Sequence, residues 1–269
     1  MRSTPPPSAR PRRAANRASR RALAALALPL LLCALPSAAR ADELSDLVTL
    51  LGRFPGTDPL SGSFQLDLTR HTKDEGVVKD ERSRVAVEVE DGAEGLRIGY
   101  PRHELRQAEQ ELRAQTAEPD KETPVANGLR AVDVTELTAS LNAAAALARD
   151  LGVARLASVQ PSTYGGRPAR LLVLRLKPSL SAQARRHVKS VDSQLSVWLG
   201  DDGAPLAAER IDKLRAGFLI LNFDTLRKQS WTYGRKGNRL YAARHLLDQG
   251  ASGMGQRYQS VTVAVLTVR

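Results

Sequence analysis

An α+β protein with one large, curled antiparallel sheet of about eleven strands is the fold class that this 269-residue sequence predicts. Three observations predict it. Apolar and polar side chains alternate with period two through most of the chain after residue 62. The connections between these runs are short and rich in Gly and Asp, which favours antiparallel neighbours. Helical spacing is confined to residues 42–54 and to an insertion over residues 101–152.

The first segment, residues 1–41, reads as a removable export signal. It is Arg-rich and free of acids, and its apolar run from Ala22 to Leu35 is followed by the small-x-small triplet Ala39-Arg40-Ala41. The run is too short for a membrane span, which needs about 20 apolar residues, and it is broken by Pro29. Leu30, Leu31 and Leu32 precede Cys33, where a lipidated cysteine follows a small residue, so Cys33 is expected to leave with the signal. Cleavage is placed before Asp42. Ser19-Arg20-Arg21-Ala22-Leu23 resembles a twin-arginine export signal.

Removal of this leader changes the electrostatics. It holds eight of the 40 basic residues and no acid, so the remainder carries 32 basic against 29 acidic residues, a net of +3 in place of +11. The interspersed charges read as a solvated surface, and a nucleic-acid partner is not expected. The remainder has no cysteine and must stand on its apolar core.

Residues 42–269 read as a single domain. A helix over 42–54 is expected from Leu44, Leu47, Val48, Leu51 and Phe54. A three-strand meander follows, carried by Phe64, Leu66 and Leu68, by Val85, Val87 and Val89, and by Leu96, Ile98 and Tyr100, with "HTKDEG" and "DGAEG" as the turns. Pro101 opens a charged helix to about Gln115, and "TAEPDKETPVANGLR" reads as a mobile loop. One helix from Asp133 to Gly152 follows, with Asp133 and Glu136 as an N-terminal capping pair. Strands are then expected near 155–160, 169–177, 193–199, 205–211, 217–225, 229–234, 238–244 and 257–268. "PSLSAQARRHVKS" is a short helix capped by Ser179, "YGGRP", "DDGAP" and "RKGN" are turns, and "GASGMG" is a flexible connection.

No catalytic or metal motif stands out, and no cofactor is expected. His71, His103, His187 and His245 lack the spacing that places metal ligands on one helical face, and they read as surface or hydrogen-bonded histidines. There is no G-x-S-x-G elbow and no phosphate-binding loop. Asp201 and Asp202 read as the polar tip of a hairpin. The aromatic residues remain. Trp231 and Tyr233 share one strand face, Trp198 lies opposite Leu195, Val197 and Leu199, and "GFLILNF" is apolar on both faces. Either these residues fill a sandwich core or one side lines a cavity for an apolar ligand.

The order of elements resembles the outer-membrane lipoprotein-sorting carriers of the Lol type and the mycobacterial lipid carriers that share their fold. The resemblance rests on the export signal, the helix "DELSDLVTLLGRF", the strand "SGSFQLDL", the meander "RVAVEVEDGAEGLRIGYP", the inserted helices and the long final run of hairpins. It implies a half-barrel sheet with the helices as a lid and acyl chains held between. The charged helix after "GLRIGYP" departs from that pattern. On this basis the chain is expected to be a non-catalytic periplasmic protein, peripheral at most to a membrane. It would bind a lipid or a lipoprotein acyl chain, with Phe64, Trp198, Phe218, Trp231 and Tyr233 as cavity wall. The alternative is an envelope interaction or structural protein without a ligand, which would contact a protein partner through sheet edges or the 101–130 segment. An envelope hydrolase with dispersed catalytic residues ranks below both.

Overall fold

The computed structural model describes residues 37–74, 76–177, 180–218 and 221–269. The leader up to residue 36, Ser179 and the side chain of Phe218 therefore lie outside the described residues. Pro36–Arg269 forms a compact unit by itself. Its elements are α1 (Ser37–Leu51), β1 (Leu60–Asp74), β2 (Val77–Gly92), β3 (Gly95–Gly99), α2 (Arg102–Ala117), α3 (Pro124–Ala131), α4 (Val134–Leu141) and α5 (Ala143–Leu151), then β4 (Ala154–Tyr164), β5 (Arg167–Leu176), α6 (Ala182–His187), β6 (Val188–Leu199), β7 (Pro205–Phe218), β8 (Leu221–Lys236), β9 (Arg239–Gly253) and β10 (Gln256–Val268).

The strands form a single antiparallel sheet of ten in the order β3-β2-β1-β10-β9-β8-β7-β6-β5-β4. The α+β class with one antiparallel sheet is thus present. The sheet is open and only weakly curled, where a half-barrel was expected. The expected eleven strands become ten because "GFLILNF" is not one strand: β7 ends at Phe218, β8 begins at Leu221, and these two residues pair across the hairpin. An apolar run with no polar break hides a turn from periodicity.

Other boundaries moved for similar reasons. "HTKDEG" was expected as a turn, yet His71 to Asp74 continue β1 opposite Val77 to Asp80. Arg70 pairs with Glu81 and His71 with Asp80, and a strand with no buried face shows no apolar alternation to read. "GASGMG" is not a flexible connection: its first four residues belong to β9, and Met254-Gly255 turn tightly into β10. The expected loop before Arg130 contains α3. Pro124 stands in its first turn, and Val125, Ala126 and Gly128 are buried. Gly128 lets this helix approach β2 closely, since a Cβ there would sit 2.8 Å from the Arg84 carbonyl oxygen.

The helix expected from Asp133 to Gly152 is two helices joined at Asn142. Asp133 caps the first as expected, its carboxylate accepting from the Thr135 and Glu136 N–H groups. The break splits the apolar stripe between two core clusters. Leu137 and Leu141 of α4 pack with Leu60, Phe64, Leu66, Val85, Val87, Val89 and Leu266. Ala143, Leu147 and Leu151 of α5, with Leu47 and Leu51 of α1, pack on Leu172, Leu174, Leu195, Val197 and Leu240. Val134, read as part of the stripe, is exposed. One straight helix could not follow both clusters across a twisted sheet.

Arg239, 2% exposed, ties the two clusters together. Its guanidinium donates to Asp91 Oδ2 at 2.5 Å, to Asn142 Oδ1 at 3.1 Å and to the Asp58 carbonyl at 2.9 Å. One buried cation thereby joins β9, the end of β2, the helix break and the segment before β1. Helices α4 and α5 are held against one face of the sheet, with α1 beside α5. The opposite face carries Trp198, Thr232 and Arg244.

Candidate functional site

Register decides which side chains share the helix-covered face. Val197, Ala208, Trp231 and His245 lie in one cross-strand row, and Leu195, Arg210, Gln229 and Leu247 lie in the next. Between these rows and α4–α5 runs a cleft of about 240 Å³. Ala143, Leu147, Leu195 and Trp231 give it an apolar wall, and Asp150, Arg210, Arg227, Glu136 and Tyr233 give it a polar one. The helices contribute small residues here, Ala139, Ser140, Ala143 and Ala146, so they approach the sheet without filling the space above Trp231.

Arg210 organises the polar wall. Its Nη1 donates to Asp150 Oδ1 at 2.8 Å, and its Nε donates to Asp212 at 2.8 and 3.1 Å. The Ser193 hydroxyl also donates to Asp212. Burial raises the pKa of Asp150 above the ordinary carboxylate range; Arg210 opposes the shift and the Asp212 charge adds to it. Burial, with the Asp150 charge behind it, raises the pKa of the Tyr233 phenol and holds it protonated. At the mouth, Arg227 stands 3.8 Å from Glu136 of α4.

Behind Trp231 lies His245, 7% exposed and stacked on the indole at 5.0 Å with the rings nearly parallel. Its Nε2 is the buried side-chain nitrogen that lacks a hydrogen-bond partner among the described residues. Burial, and then the Arg227 charge, push its pKa down to about 4. His245 was expected to be a surface or hydrogen-bonded histidine; it is neither. The sequence carried a weak signal of this, because in "YAARHLL" the histidine falls in register with apolar neighbours.

Of the five expected wall residues, the structure brings together Trp231 and Tyr233. Phe64 is packed in the cluster beneath α4. Trp198 is half-buried on the opposite face, 5.8 Å from Tyr164. Phe218 closes the β7–β8 hairpin. Asp150, Arg210, Asp212, Arg227 and Glu136 were not singled out from the sequence, since each sits in a charge-rich stretch of ordinary surface composition. Asp202 does sit at a hairpin tip as expected, accepting from the Ala204 N–H.

No protein-family model and no curated protein matches this sequence. Among solved structures, the chain aligns with the crystal structure of MucB in complex with MucA(peri) at 10% identity, over 86% of this chain and 94% of that one, with a TM-score of 0.15. A TM-score this low supports no inference about fold or partner. No helix among the described residues is long and apolar enough to cross a membrane.

Proposed function

We propose that this chain is an exported, non-catalytic binding protein of the cell envelope that holds an amphipathic ligand, such as a lipid or an acyl group, between α4–α5 and the sheet. One observation carries the reading. Trp231 offers an apolar surface to a cleft whose other wall is polar, and the partnerless Nε2 of His245 is buried just behind it. An apolar body against Trp231, Leu147 and Leu195, with a polar group toward Arg210 and Arg227, fits that division. The cleft is smaller than the roughly 300–1,000 Å³ of common ligand pockets, so entry of a long chain requires α4–α5 to lift, with Asn142 as the joint. A non-catalytic role is supported by the engagement of the carboxylates: Asp150 and Asp212 are both paired with Arg210. Export rests on the sequence of the leader.

The two tryptophans provide the test, because they lie on opposite faces. Trp198→Phe leaves Trp231 as the single tryptophan reporter and Trp231→Phe leaves Trp198. Uptake of a fluorescent fatty acid under the helices quenches the first protein and spares the second. Organic extracts of the chain, purified without detergent, are expected to contain a stoichiometric lipid. A clean extract, with no uptake in either variant, refutes the reading.

A further inference from the structure

Helix α4 runs along β8, on the face that carries Arg227, Gln229, Trp231 and Tyr233 at every second position. Its first turn is placed there by Glu136, 3.8 Å from Arg227, and its end by Asn142, whose Oδ1 lies 3.1 Å from Arg239 at the start of β9. Ser140 follows Glu136 by one turn on the same side of the helix, and Gln229 follows Arg227 by two residues on the same side of the strand. Both side chains line the cleft.

Their chemistry is at odds with the packing around them. Ser140 is 5% exposed between the buried Leu137 and Leu141 of α4, and Gln229 is 7% exposed in a cross-strand row with Leu195 and Leu247. The Gln229 side-chain carbonyl accepts from Arg227 Nη2 at 3.4 Å. Its amide N–H groups, like the Ser140 hydroxyl, bond to no described residue. Burying a polar group without a partner is unfavourable, and an apolar side chain of similar size would avoid the cost. Unlike the enclosed Nε2 of His245, the two groups open onto the cleft, where a ligand atom can reach them.

Charge decides what kind of atom that is. Arg149, Arg210 and Arg227 line the cleft with Glu136 and Asp150, and Asp212 also pairs with Arg210. Three cations thus meet three carboxylates. Arg210 is shared by two of them, Arg227 faces Glu136, and Arg149 is exposed to solvent, so an anionic ligand finds no unmatched cation in the interior. The desolvation that raises the pKa of Asp150 acts equally against a ligand carboxylate. Ser140 and Gln229 are neutral donors, and their match is a neutral acceptor.

We propose that the cleft selects an ester-linked acyl group over a free fatty acid, with the ester carbonyl oxygen accepting from the Gln229 amide and the Ser140 hydroxyl beside Trp231. The assignment rests on the reading of the cleft as a ligand site and adds to it the charge state that is recognised and the residues that recognise it. A secondary amide also carries a neutral carbonyl. Its N–H would need an acceptor, however, and the carboxylates are engaged: Asp150 and Asp212 by Arg210, and Glu136 by Arg227.

The test is calorimetric titration of the full chain with methyl octanoate, octanoate and octane at about pH 8, where the acid is ionised. The ester is expected to bind about tenfold more tightly than the carboxylate, or better, and octane measures the apolar wall alone. Gln229→Leu and Ser140→Ala each lower ester affinity about fivefold and leave octane affinity unchanged. A thermal melt separates recognition from a structural role: each substitution removes an unpaired buried polar group, so both variants melt no lower than the wild type while they bind the ester less. Octanoate that binds as tightly as the ester overturns the inference and leaves the ligand site standing. Undiminished ester binding in both variants does the same, and assigns the two polar groups to water. If none of the three probes binds, the ligand-site reading itself fails and this inference falls with it.

Discussion

Replacing His245 by Phe should remove most of one acid-dependent component of stability while keeping a ring against Trp231. The magnitude follows from the burial. In the unfolded chain the imidazole titrates near 6.5, and in the folded protein desolvation holds it at about 4. Folding therefore excludes a proton between those values. The neutral ring costs the fold nothing in this respect above pH 6.5, and stability is lost as pH falls through the window from 6.5 to 4. Between about pH 7.5 and 4.5 the loss from this one group is about 2.5 kcal/mol. Urea unfolding of wild type and His245→Phe at both pH values measures it. The carboxylates contribute equally to both proteins, so the difference between the two pH slopes isolates the histidine. The wild type should lose about 2–3 kcal/mol more than the variant. At pH 7.5 the variant should be no less stable, because leaving a buried polar atom unpaired costs about 1–3 kcal/mol. His245→Leu guards against a steric effect of the larger ring. Parallel profiles within about 0.5 kcal/mol for both variants would mean that His245 is solvated in the folded protein, and the stacked, desolvated row behind the cleft would be refuted.

Two further predictions concern the frame that holds the cleft. Arg239→Met leaves the half-buried Asp91 carboxylate and the Asp58 and Leu141 carbonyls without the guanidinium that they share, and should cost about 3–5 kcal/mol, read as a lower urea midpoint; a loss under 1 kcal/mol would show that the clamp joins nothing. Gly128→Ala gains up to about 1 kcal/mol of helix propensity, but its Cβ meets the Arg84 carbonyl at 2.8 Å. Net destabilisation of about 1–3 kcal/mol, with faster hydrogen exchange in α3, is expected, and a more stable variant would refute the close approach of α3 to β2.

The legibility of the fold varied from element to element, for physical reasons. Val85, Val87 and Val89 are buried beneath the helices and alternate with exposed residues, so their strand is plain in the sequence. The same strand's first six residues, Val77 to Arg82, have no buried face and no apolar alternation, and nothing in their order distinguishes them from a loop. Pro124–Ala131 is too short for periodicity to declare it and depends on α2 and β2 for its burial. In the candidate site, Trp231 and Tyr233 were legible as two aromatics on one strand face. The Arg210 network was not, because its acids come from α5 and from β7 itself, and its cation resembles the other arginines of a basic sequence.

By itself, then, the sequence determined the antiparallel habit of the chain, the position of its helical insertion and the capping of α4 by Asp133. Each of these follows from the side chains of neighbouring residues, through alternation, helical spacing and turn chemistry. The tertiary structure decided that the first hairpin pairs with the last strand, that the sheet stays open, that the helix divides at Asn142, and that His245 lies buried without a partner for Nε2. These outcomes depend on which distant segments exclude water from one another. Strand order, the curl of a sheet and the desolvation of a single nitrogen are properties of the assembled layers, and local order does not encode them.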